Sequence, residues 1–107
     1  VLGLKNEKLV RDKIPEIIQN NGKSVEVRVA SGEELDILLR KKILEEAQEL
    51  MKEGTTEELV DLLEAVDSLL YHRRIDDGML EIHKHAKRLA RGGFTKGFVV
   101  SFDDSED

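Results

Sequence analysis

The apolar positions of this chain fall into blocks with two different periods. Steps of three and four link Leu35, Leu39, Ile43, Glu46 and Leu50, and again Glu58, Leu62, Ala65 and Leu69. That spacing marks one face of an α-helix. Gly54-Thr55-Thr56 separates the two rows, so the stretch 42–70 is predicted to fold back on itself as an antiparallel helical hairpin. Ser31 with Glu34, and Thr55 with Glu58, have capping-box spacing, which predicts helices from near Gly32 to about Lys52 and from Thr56 to about Arg73. Leu9, Ile14, Ile17 and Ile18 predict a shorter helix around Pro15, capped by Asp12 and ended by Asn20-Asn21-Gly22. A last helix starts at Asp76 or Asp77, runs through Leu80, Ile82, Ala86 and Leu89, and stops at Arg91-Gly92-Gly93. A period of two occurs in Val25, Val27 and Val29 against Glu26 and Arg28, and again across Lys96–Phe102. These read as two strands able to pair. The expected fold is mainly α: an antiparallel bundle of about four helices with one short two-stranded β element. Residues 1–102 are expected to form a single domain, and 103–107 an acidic tail without fixed structure.

The helix expected from Thr56 is apolar around most of its circumference, through Leu59, Val60, Leu62, Leu63, Val66, Leu69 and Leu70. Only Glu57, Asp61, Glu64 and Ser68 keep a polar stripe. Such a helix belongs at the centre of a bundle or in a subunit interface, so a homodimer or homotetramer is expected. Composition narrows the picture further. At 107 residues one domain is expected, with a core that is aliphatic because aromatics are only 4% of the chain. The absence of cysteine excludes disulfides and thiolate metal sites within it. No apolar run reaches membrane length and the start shows no secretory pattern, so no membrane partner and a cytoplasmic location are expected. A net charge of −6 argues against nucleic acid as a partner held by a basic surface. It leaves room for a phosphorylated small molecule whose charge a metal offsets.

The acids carry the candidate chemistry. Glu46 and Glu58 stand on rows that otherwise bury apolar side chains, where an ionised carboxylate is costly unless paired or metal-bound. Glu49 and Glu58 flank a midpoint near Gly54, and Glu46 and Asp61 flank the same midpoint. Four carboxylates then converge from two facing helices, and without partners they would repel one another. An all-oxygen set of this kind suits Mg²⁺, with Mn²⁺ as the alternative. Glu58 keeps a second reading, as the capping partner of Thr55, and the sequence leaves both open. Glu64 and Asp67 form a rival pair elsewhere around the helix, expected at the surface or in a supporting role. His83 and His85 are two apart and face different ways; with His72 they are expected at the surface. Lys8, Arg11 and Lys13 precede the first helix and read from composition as a solvated basic segment. The run 91–97 offers backbone N–H groups and two cations, Arg91 and Lys96, to a phosphate, without P-loop spacing.

Taken together, KLVRDKIPEII near the start, EEAQEL, EELVDLLEAVDSL and RGGFTKGF resemble the MazG-like nucleoside triphosphate pyrophosphohydrolases. Within that all-α superfamily, which includes phosphoribosyl-ATP pyrophosphohydrolase, the chain looks closest to a small single-domain house-cleaning group. The superfamily pattern E-E-x-x-E followed by E-x-x-D falls on Glu45, Glu46, Glu49, Glu58 and Asp61. Its two halves lie closer together here than is usual, and the Glu64/Asp67 pair would restore the usual gap. The resemblance implies Mg²⁺-dependent hydrolysis between the α- and β-phosphates of a nucleoside triphosphate, releasing a monophosphate and pyrophosphate. Metal ligation would fall to Glu46, Glu49, Glu58 and Asp61, and water activation to Glu45 or an unligated oxygen of Glu46. Lys8, Arg11, Lys13, Arg91 and Lys96 would neutralise phosphate charge. The alternative is a non-catalytic nucleotide-binding or helical-dimer interaction module.

Overall fold

Among the described residues four helices form where the apolar spacing places them. In the computed structural model, which describes residues 6–103, α1 spans Ile14–Asn20, α2 Gly32–Glu53, α3 Thr56–His72 and α4 Asp77–Arg91. The chain divides into two compact units, the first ending at Arg74 and the second beginning at Ile75. The first holds α1, α2 and α3; the second holds α4 and the segment after it.

Within the first unit α2 packs against α3. The contact is made by the two rows legible in the sequence: Leu39 and Ala65 are buried, while Leu35, Ile43, Leu50, Leu62 and Leu69 are half-buried. Glu46 is buried among them, only 9% exposed. The hairpin reverses at Gly54, whose φ of 69° is left-handed and whose N–H donates to the Leu50 carbonyl at 2.8 Å. Glycine ends a helix this way because a Cβ disfavours that backbone. Thr55 then opens α3 with a capping box, Glu58 accepting from the Thr55 backbone N–H at 3.0 Å.

The open end of the hairpin is tied by charge. The Arg73 guanidinium grips Asp36 through Nε at 2.7 Å and Nη2 at 3.0 Å, and Arg40 adds a third donor at 2.9 Å. Arg73, with Arg40, holds the Asp36 carboxyl down to about 2. His72, expected at the surface, is half-buried, and its Nε2–H donates to the Gly32 carbonyl at 2.9 Å. His83 and His85 are exposed as expected.

Local expectations differ at three places. Ser31 makes no side-chain cap bond to α2, and the Glu34 carboxylate that would complete the box is taken by Arg28 through donors at 2.8 and 3.0 Å. Lys13, not Asp12, is the cap residue of α1, again without a side-chain bond. The two-stranded β element is not present: among the described residues no strand forms at Lys23–Ala30 or Lys96–Phe102. A strand is stable only when a neighbouring backbone satisfies its N–H and C=O groups, and alternation alone supplies no such neighbour. In the second unit, Asp76 caps α4 by accepting from the N–H groups of Gly78 and Met79 at 2.7 and 3.2 Å, and Gly92 ends it at φ 81°. The expectations for residues 1–5 and 104–107 lie outside the described residues. Among the described residues no helix is long and apolar enough to cross a membrane.

Candidate functional site

One acid of α2 and one of α3 take cations from the segment before α1. Lys8 Nζ lies 3.2 Å from Glu45 Oε1 on α2, and Arg11 Nη2 lies 2.8 Å from Asp61 Oδ1 on α3. Segment 8–11 therefore bridges the two helices, one cation on each. Lys42, one turn before the acids, places Nζ 3.5 Å from Glu45 Oε1 and 3.4 Å from Glu46 Oε1. Among the described residues that ion pair is the sole polar partner of the buried Glu46 carboxylate. Burial pushes the Glu45 carboxyl up, but the Lys8 hydrogen bond and the charges of Lys42 and Lys8 outweigh it and leave Glu45 below the ordinary carboxylate value.

The remaining expected residues divide clearly. Glu49 is exposed and makes no ion pair or hydrogen bond among the described residues, so both its oxygens are open. Glu58 Oε1 accepts from the Thr55 backbone N–H and hydroxyl, which leaves Oε2 as its open oxygen. The capping reading of Glu58 therefore holds for one oxygen and leaves the other available. Glu64 accepts from the Ser68 hydroxyl at 3.5 Å, and Asp67 is exposed. Lys13 is exposed at the start of α1. Arg91 and Lys96 belong to the second unit; Arg91 is the last residue of α4, and the Lys96 ammonium lies 5.9 Å from the centre of the Phe98 ring.

Two participants were not singled out from sequence. Lys42 stands three and four residues before Glu45 and Glu46, spacing that by itself places it beside both. Arg28 forks onto Glu7 as well as Glu34, at 3.1 and 3.2 Å to the two Glu7 oxygens. It ties the N-terminal segment to the segment before α2. No local periodicity announces that pairing.

Among the described residues no three carboxylate or histidine side chains are gathered as a ready metal-ligand group. The chemistry of the donor set nevertheless fits a hard divalent cation: Glu46, Glu49, Glu58 and Asp61 supply oxygen alone. Positive charge already sits at these acids, as the Lys42 ammonium between Glu45 and Glu46 and the Arg11 guanidinium on Asp61. No family model, curated protein or solved structure matches the chain.

Proposed function

We propose that this protein is a Mg²⁺-dependent nucleoside triphosphate pyrophosphohydrolase of MazG-like type, clearing non-standard nucleotides. One arrangement supports the reading above others: Lys8 and Arg11 lie against acids of both long helices, on a hairpin that buries Glu46. A triphosphate site needs both signs of charge, acids to hold a metal and cations to take up phosphate oxygens. A stable core would gain from leucine at position 46, so the acid there calls for a reason other than packing.

Bound Mg²⁺ would polarise the phosphates and lower the pKa of a coordinated water. Glu46, Glu49 and Asp61, with the open oxygen of Glu58, would hold the ion. Glu45, or an oxygen of Glu46 not engaged by the ion, accepts the proton of the attacking water. Water adds across the α–β anhydride, the bridging P–O bond breaks, and monophosphate and pyrophosphate separate. Lys8 and Arg11 exchange their carboxylate partners for phosphate oxygens, with Lys13 as a further cation of the same unit. The direct test is incubation with nucleoside triphosphates and Mg²⁺, separating pyrophosphate from orthophosphate. Pyrophosphate release that disappears in Glu46→Gln is the expected result; orthophosphate alone, or no release at all, overturns the reaction.

Leu59, Val60 and Leu63 on α3 are 45%, 54% and 60% exposed. That face favours association of copies as a homodimer or homotetramer. It also gives the second reading its footing, a helical-dimer or nucleotide-binding module without catalysis. A thermal melt with and without Mg²⁺ separates the two readings, because an ion that binds only the folded acid cluster raises the melting temperature.

A further inference from the structure

We propose that the groove between segments 6–10 and 25–30 receives the nucleoside half of the nucleotide whose phosphates lie at Lys8, Lys42 and Glu45. The inference rests on the nucleotide reading above and adds to it a place for the base and sugar.

The groove is a cavity of about 520 Å³ in the first unit, within the roughly 300–1,000 Å³ range of small-molecule sites. Its walls are largely apolar, with Leu9 and Val10 on one side, Val25 and Val27 on the other, and Pro15 and Ile18 of α1 between. Val10, Val25 and Val27 are 42%, 37% and 57% exposed, so apolar surface is left for a ligand to cover. A smaller cavity of about 220 Å³ adjoins it: both are lined by Asn6, Glu7, Lys8, Leu9 and Leu38, and the smaller one also by Lys42 and Glu45. The two spaces therefore run from an apolar groove into the charged face. A nucleotide has the same polarity along its length, a weakly polar base and sugar at one end and a polyanion at the other.

The two walls are clasped to each other and to the hairpin through Arg28, itself part of the lining. Arg28 binds Glu7 on one segment and Glu34 at the start of α2, which fixes both sides of the groove to the hairpin. Asn6 lines both cavities and makes no side-chain hydrogen bond among the described residues. Its carboxamide offers a donor and an acceptor to the edge of a base or to a sugar hydroxyl. No aromatic side chain lines the groove, so the base is held between aliphatic walls and not by ring stacking.

The test uses the non-hydrolysable α,β-methylene triphosphates of the four common bases, with inorganic tripolyphosphate as the probe that lacks a nucleoside. Affinities are measured by calorimetry in Mg²⁺, on the wild-type chain and on Val27→Trp, which fills the groove. The wild type should bind at least one methylene nucleotide ten-fold or more tightly than tripolyphosphate. Val27→Trp should lose that advantage while binding tripolyphosphate and Mg²⁺ as before. A variant that keeps the full advantage, or a wild type that shows none, overturns the groove and leaves the metal-and-phosphate reading standing. A wild type that binds neither kind of probe overturns both. Should Val27→Trp fail to fold, amide chemical shifts on the wild type decide the matter. Shifts at Val10, Ile18, Val25 and Val27 on adding the methylene nucleotide support the groove, and shifts confined to α2 and α3 overturn it.

Discussion

Glu46→Leu should stabilise the protein and, in the same change, remove its response to Mg²⁺. The wild-type side chain is 12% exposed, and its sole polar partner among the described residues is Lys42 Nζ at 3.4 Å, itself 25% exposed. A pair of this helical spacing contributes about 0.3–0.5 kcal/mol, and that is what the substitution forfeits. In return the carboxylate no longer gives up water on an apolar face, and leucine buries about 0.8 kcal/mol for each additional CH₂ equivalent. The balance is a gain of about 1–2 kcal/mol, the direction found when a poorly compensated buried charge gives way to an apolar side chain. In a domain of this size each kcal/mol moves Tm by roughly 4–8 °C, so the melt should rise by about 4–16 °C. Calorimetric or circular-dichroism melts with and without millimolar Mg²⁺ read both effects. The wild type should gain Tm with Mg²⁺, and the variant should start higher and gain little. A variant less stable than wild type by about 1 kcal/mol or more would show that Glu46 serves packing through Lys42, and would remove the reason for placing it in a site.

Three further outcomes follow from the same geometry. Lys8→Met and Arg11→Met remove cations that compete for Glu45 and Asp61, so each should tighten Mg²⁺ binding about two- to five-fold, the range set by exposed ion pairs, while weakening Mg²⁺-nucleotide binding; titration calorimetry reads both, and weaker Mg²⁺ binding would contradict the exchange. Asp36, held down to about 2, and Glu34 and Glu45, also below their ordinary values, take up protons more readily unfolded than folded. Stability from these groups is therefore complete above roughly pH 4.5 and is lost as the pH falls towards about 2; urea midpoints across that window should drop, and Asp36→Asn should flatten part of the drop. Gly54→Ala places a Cβ 4.0 Å from the Leu50 carbonyl oxygen, an ordinary van der Waals contact without a clash, but at φ 69°; the cost should be the left-handed backbone alone, about 1 kcal/mol, and a neutral result would mean that the turn relaxes.

The helices were legible because each has local punctuation. Gly54, Thr55 with Glu58, Asp76 and Gly92 fix ends that depend only on neighbouring residues, and the observed bounds fall within a residue or two of those expected. The two apolar rows likewise show which faces of α2 and α3 meet, and they made the buried Glu46 visible in advance. What failed was whatever depended on distant partners. Ser31 and Glu34 have capping spacing, yet Arg28 offers Glu34 two charged donors, a stronger claim than one backbone N–H. Val25 and Val27 line a groove and Val29 is exposed, instead of the three forming one face of a ladder, since side-chain period says nothing of which backbone lies alongside. In the site, Glu46, Asp61, Lys8 and Arg11 were singled out by position or resemblance. That Lys8 chooses Glu45 and Arg11 chooses Asp61 is a property of the folded chain, the partners standing 37 and 50 positions apart in sequence.

The most direct test of the central claim is turnover on a panel of ordinary and modified nucleoside triphosphates with Mg²⁺, following pyrophosphate and orthophosphate separately in the wild type and in Glu46→Gln. Pyrophosphate with an equal amount of nucleoside monophosphate, lost in the variant while its fold persists, is the predicted result. Pyrophosphate release undiminished by Glu46→Gln, or no release from any substrate by a wild type that binds Mg²⁺, would contradict it.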